Sequence, residues 1–204
     1  MKVQIIDYGM GNLGSVKTAV GLLGFTADVI SMSNSIESAD KIILPGVGSF
    51  SNAMTELIDG NWIDAIREQV IDKQKPILGI CLGMQLLASK GEEGGITDGL
   101  NLISGEVKHL TDLGCKERVP HVGWNDTHIK NTSTLFLNIP SGNDFFYVHS
   151  YGFSPENSSH VSSVVNYGQE IVASVERNNV FGTQFHPEKS SKAGLQLLKN
   201  FLDF

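Results

Sequence analysis

The first half of the chain alternates short apolar runs, rich in β-branched residues, with segments of helical periodicity. Strands are predicted over residues 3–6, 27–30, 41–44 and 76–80, and helices over residues 15–23, 50–58, 62–71 and 82–88. Strands that alternate with helices pair in parallel, because each crossover helix returns the chain to the same end of the sheet. The sequence therefore predicts an α/β fold with a central, mostly parallel sheet and helices on both faces.

The second half reads mostly as strands separated by Asn, Gly and Ser. Strands are predicted over residues 106–110, 119–129, 145–149, 170–176 and 180–185, followed by an amphipathic helix over residues 191–202. The strands between residues 106 and 150 are expected to form an added antiparallel layer. No repeat or low-complexity linker divides the halves, so a single domain over residues 1–204 is predicted.

Charge and cysteine content exclude several classes of function. Lys and Arg total 15 against 22 Asp and Glu, and a net charge of -7 argues against binding to nucleic acid. The chain has two cysteines and no closely spaced His or Cys ligand pattern, so neither a disulfide framework nor a metal site is expected. The N-terminal apolar run is too short for a signal peptide or a membrane span. We expect a cytoplasmic protein that needs no metal or other cofactor.

The strongest local motif is Gly79-Ile80-Cys81-Leu82-Gly83, between a predicted buried strand and a helix. It matches the nucleophile elbow, in which a sharp turn exposes the nucleophile and small flanking residues allow close chain approach. The same turn puts the sulfur of Cys81 at a helix N-terminus, where the thiolate is favoured. The alternative is a buried core cysteine flanked by glycines, since cysteine is often buried.

A cysteine nucleophile needs a base and a group that orients that base. His186 directly follows the strand predicted to end at residue 185, and Glu188 lies two residues further on. His186 would thus emerge at a strand end, and the Glu188 carboxylate could hold its imidazole in the required tautomer. The alternative is a surface loop with an incidental salt bridge. The elbow and the His-x-Glu pair together are more specific than either motif alone.

A glycine-rich turn, Pro45-Gly46-Val47-Gly48, follows the strand ending at residue 44. Such a turn frees backbone N–H groups, which can stabilise the oxyanion formed when a thiolate attacks an amide. Val47 and Gly48, together with the N–H of Leu82 after the nucleophile, are the candidate oxyanion donors. Taken alone, the turn is better explained as an ordinary strand-to-helix connection.

Residues 9–14 spell G-x-G-x-x-G between a strand and a helix, which is the dinucleotide-binding fingerprint. It supports an alternative class of function, a nucleotide-binding module. Two features oppose that class: the Asp7 carboxylate stands where a pyrophosphate should bind, and the second strand lacks the expected terminal acid. A tight turn into a helix explains the glycines better.

Taken together, these segments resemble the class I, or triad, glutamine amidotransferases. The resemblance is closer still to the glutaminase subunits of imidazole glycerol phosphate synthase, and it rests on residues 7–13, 45–48, 79–86, 120–125, 148–151 and 184–190, which span nearly the whole chain. The resemblance implies a flavodoxin-like, class I amidotransferase fold. It also implies glutamine hydrolysis by Cys81, with His186 as acid and base and Glu188 orienting His186.

The same resemblance implies roles for residues whose pattern alone assigns none. Glutamine would be held by Gly46, Gln85, His149, Ser150 and Tyr151. The partner interface and ammonia exit would lie at His121, Trp124 and Asn125. Two alternatives stay open, because Trp124 could be a core aromatic and His149 could be a satisfied core histidine.

The implied partner is a separate (β/α)8-barrel cyclase subunit, forming a heterodimer that makes imidazole glycerol phosphate and AICAR in histidine biosynthesis. Ammonia in neutral water is mostly protonated, so a dry passage between the two active sites would serve it best. Two other functions remain possible from the sequence. One is a paralogous subunit in nucleotide-sugar amidation, and the other is an independent cysteine hydrolase of the same fold.

Overall fold

A computed structural model of the chain describes residues 1–204. The strands are β1 Val3–Ile6, β2 Ala27–Ile30, β3 Lys41–Gly46, β4 Ile77–Cys81, β5 Lys90–Gly91, β6 Thr97–Asp98, β7 Gly105–His109, β8 His121–Ile129, β9 Asn143–His149, β10 Tyr151–Pro155, β11 Val161–Asn166, β12 Glu170–Arg177 and β13 Val180–Thr183. The helices are α1 Leu13–Leu22, α2 Phe50–Asp59, α3 Trp62–Arg67, α4 Leu82–Leu86 and α5 Ser191–Asp203. Each helix is too short or too polar to cross a lipid bilayer.

Nine strands form one sheet in the order β2-β1-β3-β4-β13-β12-β11-β8-β9. The first five strands pair in parallel, as the alternation of strands and helices predicted. The last four pairings are antiparallel, so the sheet is half parallel rather than mostly parallel. Short connections explain the change, because β12 and β13 are joined through Asn178 and Asn179 alone, and such a hairpin forces antiparallel pairing.

The predicted added antiparallel layer is only partly correct. Within residues 106–150, β8 and β9 extend the main sheet, whereas β7 joins a separate sheet of order β10-β7-β5-β6. The sequence patterns missed β10 and β11 altogether. Strand β11 reads Val-Ser-Ser-Val-Val-Asn, and four of its six residues are buried, so it lacks the alternation typical of a half-exposed strand.

Two hydrophobic cores cover the two faces of the main sheet. Ile6 and Ile42 face a core that contains α2, α3 and α4, whereas Ile5 and Ile43 face a core that contains α1 and α5. Neighbouring residues of a strand point to opposite faces, which is why these central strands are apolar without interruption. The α/β class with helices on both faces is confirmed.

Three neighbouring parallel strands carry the candidate catalytic segments at their carboxyl ends. Strands β3, β4 and β13 are adjacent, with Gly46 paired to Cys81 and Thr183 paired to Ile80. All three candidate segments therefore begin at the same carboxyl end of the sheet: the glycine-rich turn, the nucleophile elbow and the segment leading to His186. In parallel sheets this edge is where ligands bind.

Candidate active site

Cys81 sits at the junction of β4 and α4 in a backbone conformation that L-residues rarely adopt. Its φ is 57° and its ψ is −110°. Non-glycine residues with positive φ are uncommon and cluster where the surrounding structure imposes strain, often at functional sites. The predicted sharp strand-to-helix turn is therefore present. The side chain is largely buried but borders a pocket.

The two elbow glycines are required by close backbone contact. A Cβ added at Gly83 would lie 1.8 Å from the carbonyl oxygen of Leu44, and one added at Gly79 would lie 2.5 Å from the carbonyl oxygen of Gly83. Neither backbone atom can move aside as a flexible side chain could. The Gly-x-Cys-x-Gly pattern therefore follows from packing α4 directly against β3 and β4.

His186 and Glu188 form a buried pair next to the elbow. Nδ1 of His186 lies 2.8 Å from Oε1 of Glu188, and their side chains are only 3% and 1% exposed. A carboxylate can only accept a hydrogen bond, so Nδ1 of His186 carries a proton. Nε2 is left as the ring nitrogen that can exchange a proton with a reacting group. Burial alone would lower the pKa of His186, but the neighbouring Cys81 sulfur and Glu188 carboxylate outweigh it and raise the pKa to about 9.

The thiol of Cys81 and the imidazole of His186 are neighbours but form no hydrogen bond with each other in the chain alone. The Cys81 thiol donates to the carbonyl oxygen of Val148 at 3.7 Å, and the buried Nε2 of His186 has no hydrogen-bond partner. Catalytic hydrogen bonds are often loose without substrate and tighten when it binds. Gln184 completes the surroundings of the sulfur, with its Nε2 3.9 Å from Sγ.

A pocket of about 360 Å³ opens above Cys81. Its lining residues are Val47, Gly48, Cys81, Leu82, Gln85, Glu93, Pro120, Val148, His149, Ser150 and Tyr151. The structure thus brings together the three candidate oxyanion residues and four of the five residues expected to hold glutamine. The volume suits a small polar substrate and not a protein chain.

Gly46 is the expected substrate residue that the pocket does not include. It is buried beneath the turn, where an added Cβ would lie 2.4 Å from the hydroxyl of Tyr8 and 3.0 Å from the Cβ of Leu82. Nearby, an added Cβ at Gly48 would meet the Met10 side chain at 2.5 Å. The glycine-rich loop at residues 9–14 therefore supports the candidate oxyanion turn, which accounts for its position without a dinucleotide.

Sequence patterns did not identify four residues that surround Cys81 as part of the site: Glu93, Pro120, Val148 and Gln184. Glu93 is the single acidic side chain lining the pocket, and its Oε2 also accepts from the backbone N–H of Phe50 at 2.9 Å. Three of the four come from loops or strand ends that reach Cys81 only through tertiary folding. Gln184 alone had a local indication, since it precedes His186 by two residues.

The residues expected at the partner interface divide into exposed and buried ones. Trp124 is 52% exposed, so the alternative of a core aromatic is wrong, whereas His121 is 2% exposed. Asn125 is half-buried. Trp124 pairs with Phe146 across β8 and β9, and Val122 pairs with Val148. We call these two cross-strand pairs, Trp124–Phe146 and Val122–Val148, the β8–β9 apolar face.

The β8–β9 apolar face adjoins the candidate catalytic residues. Val122 and Val148 are 58% and 39% exposed, and Val148 is also the residue whose carbonyl accepts from the Cys81 thiol. Phe146 accepts a backbone hydrogen bond from the N–H of His186 at 2.9 Å. A contiguous exposed apolar patch marks an interaction surface more often than free surface.

Residues 4–203 match the family described as Glutamine amidotransferase class-I. The chain belongs to this family. Relatives narrow the assignment: the imidazole glycerol phosphate synthase subunit HisH of Moorella thermoacetica is 49% identical over 98% of this chain and 93% of the relative. The HisH subunit of Aquifex aeolicus is 46% identical over 98% of this chain and 96% of the relative. Within the family, the chain belongs with the HisH-type glutaminase subunits.

Solved structures show the same fold at low sequence identity. PurLQS from Thermotoga maritima matches with a TM-score of 0.77 and 20% identity, covering 99% of this chain and 97% of that one. A glutamine amidotransferase from Thermotoga maritima matches with a TM-score of 0.65 and 16% identity, covering 100% of this chain and 83% of that one. The class I glutamine amidotransferase fold expected from the resemblance is confirmed.

Proposed function

We propose that the chain hydrolyses L-glutamine to glutamate and ammonia, and that the ammonia passes to a separate cyclase subunit making imidazole glycerol phosphate and AICAR in histidine biosynthesis. The observation that carries the proposal is the strained Cys81 beside a buried His186–Glu188 pair at the floor of a small pocket. The relatives named as HisH subunits supply the pathway.

The chemistry follows from the protonation state of His186. With its pKa raised to about 9, His186 holds a proton at neutral pH and favours the Cys81 thiolate. The thiolate attacks the side-chain amide carbon of glutamine, and His186 protonates the departing ammonia from Nε2. His186, now neutral, takes a proton from water as the hydroxide attacks the thioester, and glutamate leaves as Cys81 is restored.

The oxyanion of each tetrahedral intermediate needs donors that are already in place. Val47, Gly48 and Leu82 all border the pocket around Cys81. The N–H of Leu82 lies in the first turn of α4, where backbone donors have no partner within the helix. We assign oxyanion stabilisation to these three backbone groups.

Glutamine also carries an α-ammonium group, and the pocket offers one carboxylate to receive it. Glu93 stands opposite that charge, while Gln85, Ser150 and Tyr151 supply neutral polar groups. A charge-assisted hydrogen bond of this kind contributes about 1.5–3 kcal/mol. We assign recognition of the α-ammonium group to Glu93.

Replacing Glu93 by glutamine is therefore expected to raise KM for glutamine by roughly tenfold or more, with a smaller effect on kcat, because a contact made equally in ground and transition states is lost. Steady-state glutamate release measures both constants. Glu92→Gln is the matched control, since Glu92 is exposed and does not line the pocket. Equal KM values for the two variants would exclude Glu93 from glutamine binding.

The partner docks, in this proposal, on the β8–β9 apolar face. Trp124 and Val122 leave large apolar areas exposed, and Val148 belongs both to this face and to the lining of the pocket. An interface sealed there would keep the released ammonia out of bulk water, where it would be protonated and lost. The two free thiols, Cys81 and Cys115, suit a reducing compartment, and we propose the cytoplasm.

Glutamate release should be measured for the chain alone and with the histidine-pathway cyclase loaded with its nucleotide substrate. We propose that the turn at residues 46–49 completes its oxyanion geometry only when the loaded partner is bound, so the partner should raise turnover by at least about tenfold. Equal activity without the cyclase would indicate an independent hydrolase. Stimulation only by a cyclase-like subunit of a nucleotide-sugar pathway would indicate the paralogous function instead.

A further inference from the structure

Two buried histidines lie at the glutamine pocket, with His149 in its lining and His121 behind it, and their hydrogen bonds fix the tautomer of each ring. Nδ1 of His149 lies 2.8 Å from the carbonyl oxygen of Tyr151, which can only accept, so Nδ1 carries the proton. In the neutral ring Nε2 of His149 is then an acceptor. Nδ1 of His121, 3.0 Å away, must be the donor to it.

The outer end of this chain of hydrogen bonds reaches Asn125. With Nδ1 protonated, Nε2 of His121 accepts from Nδ2 of Asn125 at 3.4 Å. Asn125 also donates to the carbonyl oxygen of Asn166 at 3.2 Å, which holds its amide in place. The donors thus run in one direction, from Asn125 through His121 and His149 to the Tyr151 carbonyl.

The surroundings favour the neutral form of both rings, and two tyrosine rings pack against His121. The His121 ring stacks between Tyr147 and Tyr167, with centroids at 4.7 Å and 4.0 Å and interplanar angles of 21° and 22°. Burial lowers the pKa of His121 to about 4 and that of His149 to about 3. Neither ring is therefore suited to proton transfer at neutral pH, and a role in orientation remains.

The inner end of the chain reaches the nucleophile. The Tyr151 carbonyl also accepts from Nε2 of Gln85 at 2.9 Å, and the same Nε2 lies 3.0 Å from Oε1 of Gln184. Nε2 of Gln184 is the group facing the sulfur of Cys81. Tyr151 and Gln85 line the glutamine pocket, so the position of one carbonyl oxygen sets two walls of the site.

We propose that His121 and His149 form a positioning relay, in which two Nδ1-protonated rings hold the Tyr151 carbonyl and, through it, Gln85 in the geometry that binds glutamine. His121 acts at a distance, since it does not line the pocket, and His149 acts through its ring nitrogens. The inference rests on the proposed glutaminase function and adds to it a residue, His121, whose effect on glutamine binding is indirect.

A matched pair of substitutions at position 121 separates the relay from simple packing. Asparagine places its amide N–H near the position of Nδ1 and can still donate to His149, whereas glutamine places its amide near Nε2 and cannot. Both remove the stacked ring. We expect His121→Gln to raise KM for glutamine roughly tenfold with kcat changed less than about threefold, and His121→Asn to stay within about threefold of the unchanged chain.

These constants are measured with saturating cyclase subunit, and circular dichroism confirms that both variants fold. Equal increases in KM for the two variants would overturn the relay, because they would reflect loss of the ring and not loss of the donor. No glutamine hydrolysis by the unchanged chain would instead defeat the proposed function.

Nitrogen-15 NMR of the unchanged chain tests the relay without any activity measurement. Both histidines are expected to show a protonated Nδ1 and an unprotonated Nε2 at neutral pH, with each ring assigned from the signals lost when that histidine is substituted. A protonated Nε2 on His149 would exclude the donor chain from His121, whatever the kinetics show.

Discussion

Replacing Cys81 by alanine is expected to lower kcat for glutamine hydrolysis by at least about 10⁴-fold, because no other group can form the thioester on which both half-reactions depend. The substitution removes one sulfur from a side chain that is already small, so the elbow should keep its shape. Glutamate release in the presence of the cyclase subunit measures the loss. Binding of glutamine to the inactive variant can be followed by calorimetry.

Cys115 provides the matched control for this substitution. It is the second buried cysteine, and its thiol donates to the carbonyl oxygen of Tyr167 at 3.0 Å, outside the glutamine pocket. Cys115→Ser keeps a donor at that position and should leave kcat within about threefold of the unchanged chain, as substitutions outside a site usually do. Turnover that survives in Cys81→Ala would refute thioester chemistry at Cys81.

The parts of the site that the sequence could predict are those fixed by local geometry. The turn at Cys81 needs small neighbours within two residues on each side, and Gly79 and Gly83 supply them in the sequence itself. His186 and Glu188 are likewise two residues apart, so their contact is a local property of the turn.

The remaining parts of the site depend on register and topology, which patterns do not specify. His121 meets His149 because β8 and β9 pair these two positions directly, and shifting the register by one residue would turn each side chain to the opposite face. Trp124 reads as a core residue on hydrophobicity alone, yet it lies on the strand next to the edge strand β9 and is 52% exposed. Glu93 enters the pocket from a loop with no motif of its own.

The fold likewise has parts that the sequence could predict and parts that it could not. Parallel pairing of β1 to β4 followed from alternation with helices, because a crossover admits one arrangement. The sequence did not predict which sheet β7, β8 and β9 would join, since an antiparallel strand with one polar face can extend a sheet or start another. Phe145 and Tyr147 of β9 are buried in the core that contains α1 and α5, which ties this end of the chain of strands to the main sheet.

Replacing Glu188 by glutamine is expected to lower kcat by about 10²–10⁴-fold and to move the alkaline limb of the pH–rate profile to lower pH. The Glu188 carboxylate holds Nδ1 of His186 at 2.8 Å and is one of the groups that raise the pKa of His186 to about 9. Above that pH His186 loses the proton that ammonia needs on departure. The unchanged chain should therefore lose activity as pH rises through about 9, and the variant should lose it earlier.

The free energy of unfolding gives an independent test, because it should also decrease as the pH rises. A histidine whose pKa is raised on folding stabilises the folded state fully below its unfolded pKa of about 6.5. That contribution is lost as pH rises through about 9, so the unchanged chain should become less stable across this window and Glu188→Gln should change less. Denaturant unfolding at a series of pH values measures both. Glu170→Gln, which removes an exposed carboxylate paired with Lys130, is the control.

In the pH–rate profile, an alkaline limb at the same pH in Glu188→Gln and the unchanged chain would show that Glu188 does not set the protonation state of His186.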